Sequence, residues 1–281
     1  MKENYNVIGV MSGTSLDGVD LAHVLFSYED EKWNYAIQET ATVPYEQAWL
    51  NRLKAAIGYD ENELALLDNE YTNLLGSVIS DFVRKYNINN IDAVCSHGHT
   101  VLHQPHKGIT LQIGNLPHIA VLANQKVVCD FRVQDVALGG QGAPLVPIGD
   151  RLLFSEFTYC LNLGGFSNIS FEENGVRRAF DISPVNTVMN YYAGQLGFEY
   201  DSGGAIAKAG NVVNGMLSEL NALKFYSQKH PKSLGYEFVC ETILPLIDSY
   251  TVSPQDKLTP IMRYQHYYAF LLYGLAGLSW V

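Results

Sequence analysis

Two short apolar runs, residues 7–11 and 19–26, flank the segment Ser12-Gly13-Thr14-Ser15-Leu16-Asp17-Gly18, and neither run has helical spacing. The pattern reads as strand, glycine turn, strand. Because the turn carries no lysine and opens no helix, the GxxxxGK[ST] phosphate loop does not fit. Any phosphate held here would be held by a hairpin turn. The same device returns at 158–171, where Gly164-Gly165 separates the runs Thr158-Tyr159-Cys160-Leu161-Asn162-Leu163 and 166–171. The length of 281 residues suggests about two domains in an α/β chain, and the two hairpins hint at duplication, although the two halves do not match residue by residue.

Residues 33–43 supply a third antiparallel strand, and 45–57 turn helical behind Pro44. Residues 61–86 carry the clearest helix, with Leu64, Leu67, Tyr71, Leu74, Leu75, Val78, Ile79 and Phe82 at three- and four-residue steps and Asn87 as a stop signal. Residues 91–95 form a buried strand that delivers Ser96-His97-Gly98-His99-Thr100 at its carboxyl end, where open α/β sheets place ligands. Strands follow near 110–113 and 126–129.

The run Gly139-Gly140-Gln141-Gly142-Ala143-Pro144 sets a domain junction close behind it, which divides the chain into 1–150 and 151–281. In the second part, 178–182 make a third strand, and helices span 185–196, 212–223 and 236–250. Residues 264–281 are apolar and long enough to cross a membrane. Gln265, His266, Gly274 and Gly277 interrupt them, and only Arg263 flanks them, so we read an apolar surface that needs a partner.

The net charge of −11 argues against a broad electrostatic grip on nucleic acid or an anionic membrane. Anionic ligands must be held locally. The start of the chain lacks the pattern of a signal peptide, so the cytoplasm is expected. Cys95, Cys129, Cys160 and Cys240 show no metal spacing and read as buried reduced thiols.

Glycine lets a backbone approach a polyphosphate closely, and turn N–H groups donate to its oxygens. In the first turn, Thr14 and Ser15 can reach phosphate, while Asp17 and Asp20 imply a Mg²⁺ held partly through water. An ordinary hairpin whose polar side chains satisfy its own backbone fits the same residues. Asp181 ends a strand, where it could accept a proton from an attacking oxygen or cap the following helix. His97 and His99 would share one face of a strand, but with no completing carboxylate or cysteine they read as site lining or turn structure, not metal ligands. Arg132 could grip a carboxylate bidentately or form a surface ion pair.

Taken in order, several motifs resemble the anhydro-N-acetylmuramic acid kinase family over residues 5–258. They are Gly9-Val10-Met11-Ser12-Gly13-Thr14-Ser15-Leu16-Asp17-Gly18-Val19-Asp20, Ser96-His97-Gly98-His99-Thr100, Leu111-Gln112-Ile113-Gly114-Asn115, Val128-Cys129-Asp130-Phe131-Arg132, the glycine run from Gly139, Asn162-Leu163-Gly164-Gly165 and Pro231-Lys232-Ser233-Leu234-Gly235. The resemblance implies an actin-like (hexokinase- and heat-shock-70-like) ATPase fold of two domains around a cleft. It implies that water opens the 1,6-anhydro ring while O6 takes the γ-phosphoryl of ATP, giving N-acetylmuramic acid 6-phosphate. Gly13, Thr14, Ser15, Leu16, Asp17, Gly18, Val19 and Asp20 would be the first ATP-phosphate loop, Gly164 and Gly165 the second, and Asp181 the base, with His97 and Arg132 at the sugar. ATP and Mg²⁺ are the implied cofactors, and a homodimer is expected.

Three departures accompany it. The family's Asp-Thr-Gly-Pro-Gly-Asn is here Asp181-Ile182-Ser183-Pro184-Val185-Asn186, which keeps the base but stiffens the loop. A late Gly-Gly-Gly adenosine motif and a late acidic residue have no counterpart, so the second domain is expected to be incomplete. From Thr259 the tail no longer resembles the family. The alternative expectation is a catalytically impaired member that only binds sugar or a partner.

Overall fold

The computed structural model describes residues 3–13, 16, 18–104, 109–140, 142, 145–229 and 232–258, with His103, Gln104 and Ile109 in backbone only. Thr14, Ser15, Asp17 and the apolar tail therefore lie outside the described residues. The chain divides into two units, Met1–Leu145 and Val146–Val281.

In the first unit, β1 (Asn4–Ser12) buries Ile8, Val10 and Ser12 on alternate positions, and β2 (Val19–Glu29) buries Val19 and Leu21. They pair antiparallel from Asn4↔Ser27 to Ser12↔Val19, and β3 (Lys32–Val43) continues the meander at the sheet edge. After α1 (Gln47–Ala55) comes α2 (Glu61–Lys85). Asp60 caps α2 by accepting from the N–H groups of Asn62 and Glu63, both at 2.9 Å, while Glu63 accepts from the Asp60 N–H at 2.9 Å. This reciprocal box contributes about 1 kcal/mol. The helix lays Leu67, Tyr71, Leu75, Ile79 and Phe82 on the strand side chains Ile8, Val10, Leu21 and Val94. Each such burial stabilises by about 1.5–3 kcal/mol before ordering costs. Asn87, at φ 50°, ends the run in the left-handed region.

β4 (Ala93–Gln104) enters parallel to β1, and the sheet order is β3-β2-β1-β4-β5, with β5 spanning Ile109–Ile113. α3 (Ile119–Ala123), β6 (Val127–Val128, beside β4) and α4 (Phe131–Ala137) complete the unit. The motif at 96–100 does not follow the strand, as expected from the sequence, but lies inside it. Register with β1 jumps between Val10↔Ser96 and Ser12↔His99, a bulge around Gly98 at φ 69°. Pairing with β5 then carries the strand onward.

The second unit opens with α5 (Pro147–Leu153) and an antiparallel sheet of β7 (Tyr159–Leu163), β8 (Phe166–Glu173) and β9 (Val176–Pro184), in that order. α6 (Asn186–Gln195), α7 (Ala205–Ala209) and α8 (Asn214–Asn221) follow. Their core joins Val188, Tyr192, Met216 and Leu220 to Val239, Ile243 and Ile247. The helix expected at 236–250 is interrupted: Tyr236–Phe238 passes through a π-turn at Val239–Ile243 into Leu244–Asp248. Pro245 explains this, because it has no N–H to donate four residues back and its ring crowds that carbonyl. Within the turn Val239 and Ile243 are buried and Cys240 faces out. That corrects the reading of four buried thiols, since Cys95, Cys129 and Cys160 are half-buried and Cys240 is exposed. Among the described residues, no helix is long and apolar enough to cross a membrane.

Candidate functional site

The β1–β2 turn leaves the sheet at Ser12, whose hydroxyl sits in a buried polar cluster. Tyr45 OH lies 2.6 Å from Ser12 Oγ, Tyr71 OH touches both hydroxyls, and His99 Nδ1 lies 3.4 Å from Ser12 Oγ. Burial, reinforced by Tyr45, pushes the Tyr71 phenol above its ordinary range, so it stays a neutral donor. Burial lowers the His99 imidazole to about 4.

Within the turn, the Leu16 N–H donates to the Gly13 carbonyl at 3.2 Å, and Leu16 adopts φ 60°. Gly18 has φ 153°, and a Cβ there would stand 2.5 Å from the Val43 carbonyl oxygen. Only glycine fits against the end of β3. Val19 is core, so it can offer a ligand only backbone, whereas Asp20 is exposed and accepts the Thr42 hydroxyl at 2.6 Å. Thr14, Ser15 and Asp17 of the expected phosphate loop are outside the described residues.

Across β4, the bulge breaks the alternation that would have set His97 and His99 on one face, and the two have separate partners. His97 Nδ1 lies 2.9 Å from the Gly98 carbonyl and must donate to it, which leaves Nε2 to accept from Arg132 Nε at 2.9 Å. The imidazole is therefore neutral, consistent with burial and then the Arg132 charge holding its pKa down. Arg132 also donates through Nη1 to the Gly142 carbonyl at 2.5 Å, while the Gly142 N–H donates to Asp135 at 2.7 Å. α4 thus grips the glycine run by both its carbonyl and its amide. Asn115 ties the same corner together, accepting from Ser96 at 3.2 Å and donating to Asp130 at 3.2 Å. Asp68 on α2 accepts the Gly114 N–H at 2.6 Å behind it.

In the second unit, the β7–β8 turn is tied to a helix start. The Gly165 carbonyl accepts the N–H groups of Val185 at 2.8 Å and Thr187 at 3.3 Å, and the Gly164 carbonyl accepts that of Asn186 at 3.3 Å. The Thr187 hydroxyl adds a bond to Gly165 at 2.9 Å. These carbonyls satisfy the orphan donors of α6, whose first turn has no side-chain cap.

Asp181 lies in β9 opposite Asn168 and is 7% exposed. It does not cap α6, where Val185 holds the cap position. Its Oδ2 accepts the Leu234 N–H at 2.8 Å, and its own N–H donates to the Lys232 carbonyl at 3.0 Å. A buried, aligned carboxylate of this kind can take a proton from a bound water. The Tyr45 and Tyr71 hydroxyls were not singled out from sequence as site residues; Tyr71 appears there only as a position on the apolar stripe of α2. The Leu234 contact is equally invisible in the sequence, although the motif that contains it is not.

A sequence profile described as anhydro-N-acetylmuramic acid kinase matches residues 5–263. The protein so named from Pseudomonas putida is 38% identical over 240 residues, covering 82% of this chain and 65% of that one. Its namesake from Acinetobacter baylyi is 38% identical over 244 residues, covering 82% and 63%. That of Pseudomonas syringae pv. syringae is 34% identical over 268 residues, covering 91% and 72%. The chain thus spans a little under two thirds of the length of the first two curated relatives, at 65% and 63%. Among solved structures, a chain of the Aquifex aeolicus PPX-GPPA enzyme aligns with a TM-score of 0.30 and 9% identity over 67% of this chain and 55% of that one, too loosely to bear on the fold.

Proposed function

The chain belongs to the anhydro-N-acetylmuramic acid kinase family, and on that premise we propose that it is a phosphotransferase with an alcohol acceptor. The substrates are 1,6-anhydro-N-acetylmuramic acid, water and ATP; the products are N-acetylmuramic acid 6-phosphate and ADP. The two units then correspond to the halves of an actin-like ATPase fold. The first carries the phosphate turn from Gly13 to Asp20 together with His97 and Arg132 for the sugar; the second carries Gly164-Gly165 and Asp181. A cytoplasmic, homodimeric enzyme of cell-wall recycling fits this assignment.

The observation that carries the proposal is Asp181, a 7%-exposed carboxylate held by the Leu234 amide and not occupied in capping α6. It takes a proton from the water as the remaining hydroxide bonds to C1. The C1–O6 bond breaks, and O6 takes the γ-phosphoryl as the bond to ADP breaks. His97 is fixed as a neutral acceptor and orients Arg132, whose charge suits the sugar's lactyl carboxylate. Catalysis is then mainly positioning and electrostatic stabilisation.

Asp20 suits a magnesium ion that keeps most of its shell as water and nucleotide phosphate, being an exposed carboxylate at the end of the turn. Among the described residues, no group of three or more His, Cys, Asp or Glu could form a dedicated protein cage. When bound, Mg²⁺ neutralises charge on the β- and γ-phosphates.

The test is turnover by the folded 281-residue chain with Mg²⁺-ATP and the anhydro-sugar, beside Asp181→Asn. We expect product from the parent chain and a loss of about 10²–10⁴-fold in kcat in the variant, with sugar binding retained by calorimetry. A folded parent chain that gives no product, or a variant as active as the parent, contradicts the proposal.

A further inference from the structure

Resting on Asp181 as the base proposed above, we propose that Lys232-Ser233-Leu234 is the positioning element for that carboxylate, a two-point backbone latch anchored by the Lys232 ammonium. β9 is one of the two outer strands of the sheet β7-β8-β9, and such an edge presents unpaired backbone groups. At Asp181 the latch occupies that edge. One bond fixes the main chain, from the Asp181 N–H to the Lys232 carbonyl at 3.0 Å, and one fixes the side chain, from the Leu234 N–H to Asp181 Oδ2 at 2.8 Å. Between them they restrain both the position of the residue and the rotation of its carboxylate.

A bulge adds to the need for such restraint. Register passes from Ser167↔Ser183 to Asn168↔Asp181, so Ile182 is an extra residue on β9, and bulges re-aim neighbouring side chains. The latch is itself held at both ends. Leu234 is 9% exposed. Lys232 Nζ donates to the Phe225 carbonyl at 3.2 Å and stands 4.5 Å from the centre of the Phe225 ring and 5.8 Å from that of Phe180, the residue next to Asp181. Burial lowers its pKa, as expected of a lysine drawn in between aromatic rings. This lysine clamps the segment to the strand that carries the base.

Two measurements test the latch, and the first needs no turnover. By NMR hydrogen exchange on the full chain, Asp181→Ala should speed exchange of the Leu234 amide by about tenfold or more, while Asp181→Asn, which keeps an acceptor oxygen, should preserve its protection. Equal exchange in the parent and Asp181→Ala chains overturns the latch, whether or not the chain is a kinase. The second measurement is kinetic. Leu234→Pro removes the donor and Lys232→Met removes the anchor, and each should lower kcat by about ten- to a hundredfold with KM for both substrates unchanged. Lys232→Arg should restore most of the rate. Values of kcat within twofold of the parent in both disruptive variants, or a rise in KM with kcat intact, overturn the latch while leaving the kinase proposal standing. Loss of turnover in the parent chain counts against the kinase proposal alone, because the exchange result decides the latch separately.

Discussion

The β1–β2 turn is braced from its flank and from below, by Gly18 against the Val43 carbonyl and by the hydroxyls of Tyr45 and Tyr71 on Ser12. The β7–β8 turn is braced through its carbonyls, which satisfy the first N–H groups of α6. As strings of residues the two are the same device, a glycine-bearing link between apolar strands. In the first, shape is set by the neighbouring strand and by a buried polar cluster. In the second it is set by the helix that follows. The contrast separates two uses of glycine: at Gly18 a side chain would strike immovable backbone, whereas at Gly165 it would strike a hydroxyl that can rotate away.

Substitutions should expose this difference. Gly18→Ala and Gly98→Ala should be the most damaging, because their Cβ atoms would come within 2.5 Å of the Val43 and 2.6 Å of the Ile113 carbonyl oxygens at positive φ, which favours glycine. A loss of about 3 kcal/mol or more in denaturant unfolding is expected for each. A loss under about 1 kcal/mol for Gly18→Ala would mean that the first turn is not braced by backbone contact.

The polar cluster predicts a pH effect of similar size. His99 has its pKa lowered by burial to about 4, below its ordinary 6.5. The unfolded chain therefore binds the additional proton between these values, and stability falls as pH drops from about 6.5 to about 4. The loss is about 3 kcal/mol at most. His99→Gln should remove this part of the pH dependence of unfolding, and an unchanged slope would discount the cluster. Tyr71→Phe, which deletes one hydroxyl, should cost about 1–3 kcal/mol.

At the second turn the effects should be smaller. Gly165→Ala meets Thr187 Oγ1 at 2.8 Å and should cost about 1 kcal/mol, largely recovered in Thr187→Ser, whose unbranched side chain turns aside more freely. Gly164→Ala, whose nearest contact is 3.6 Å away, should change unfolding by less than about 0.5 kcal/mol. The reverse order would erase the distinction between the turns.

Much of the architecture could be read from local pattern. The alternation in β1 and β2, the apolar stripe from Leu67 to Phe82 and the stop at Asn87 are all short-range signals. Local reading fails where distant partners decide. Gly98 reads as the end of a strand, yet pairing with both β1 and β5 carries β4 through it as a bulge. Pro245 sits within an otherwise helical stretch and converts the turn before it to π geometry. In the candidate site, the residue types were visible but their pairings were not. Arg132 meets His97 across 35 positions, and Leu234 meets Asp181 across 53. A backbone amide has no letter of its own in a sequence, so the Leu234 donor left no trace beyond the motif that contains it.

We propose that Asp181 activates water at C1 while O6 receives the phosphoryl group. Turnover of the anhydro-sugar in H₂¹⁸O, read by mass spectrometry at early times beside product incubated alone, tests it most directly. One ¹⁸O in the sugar and none in the phosphate is the predicted result, lost together with turnover in Asp181→Asn. Label in the phosphate, or an unlabelled sugar from an active chain, would contradict it.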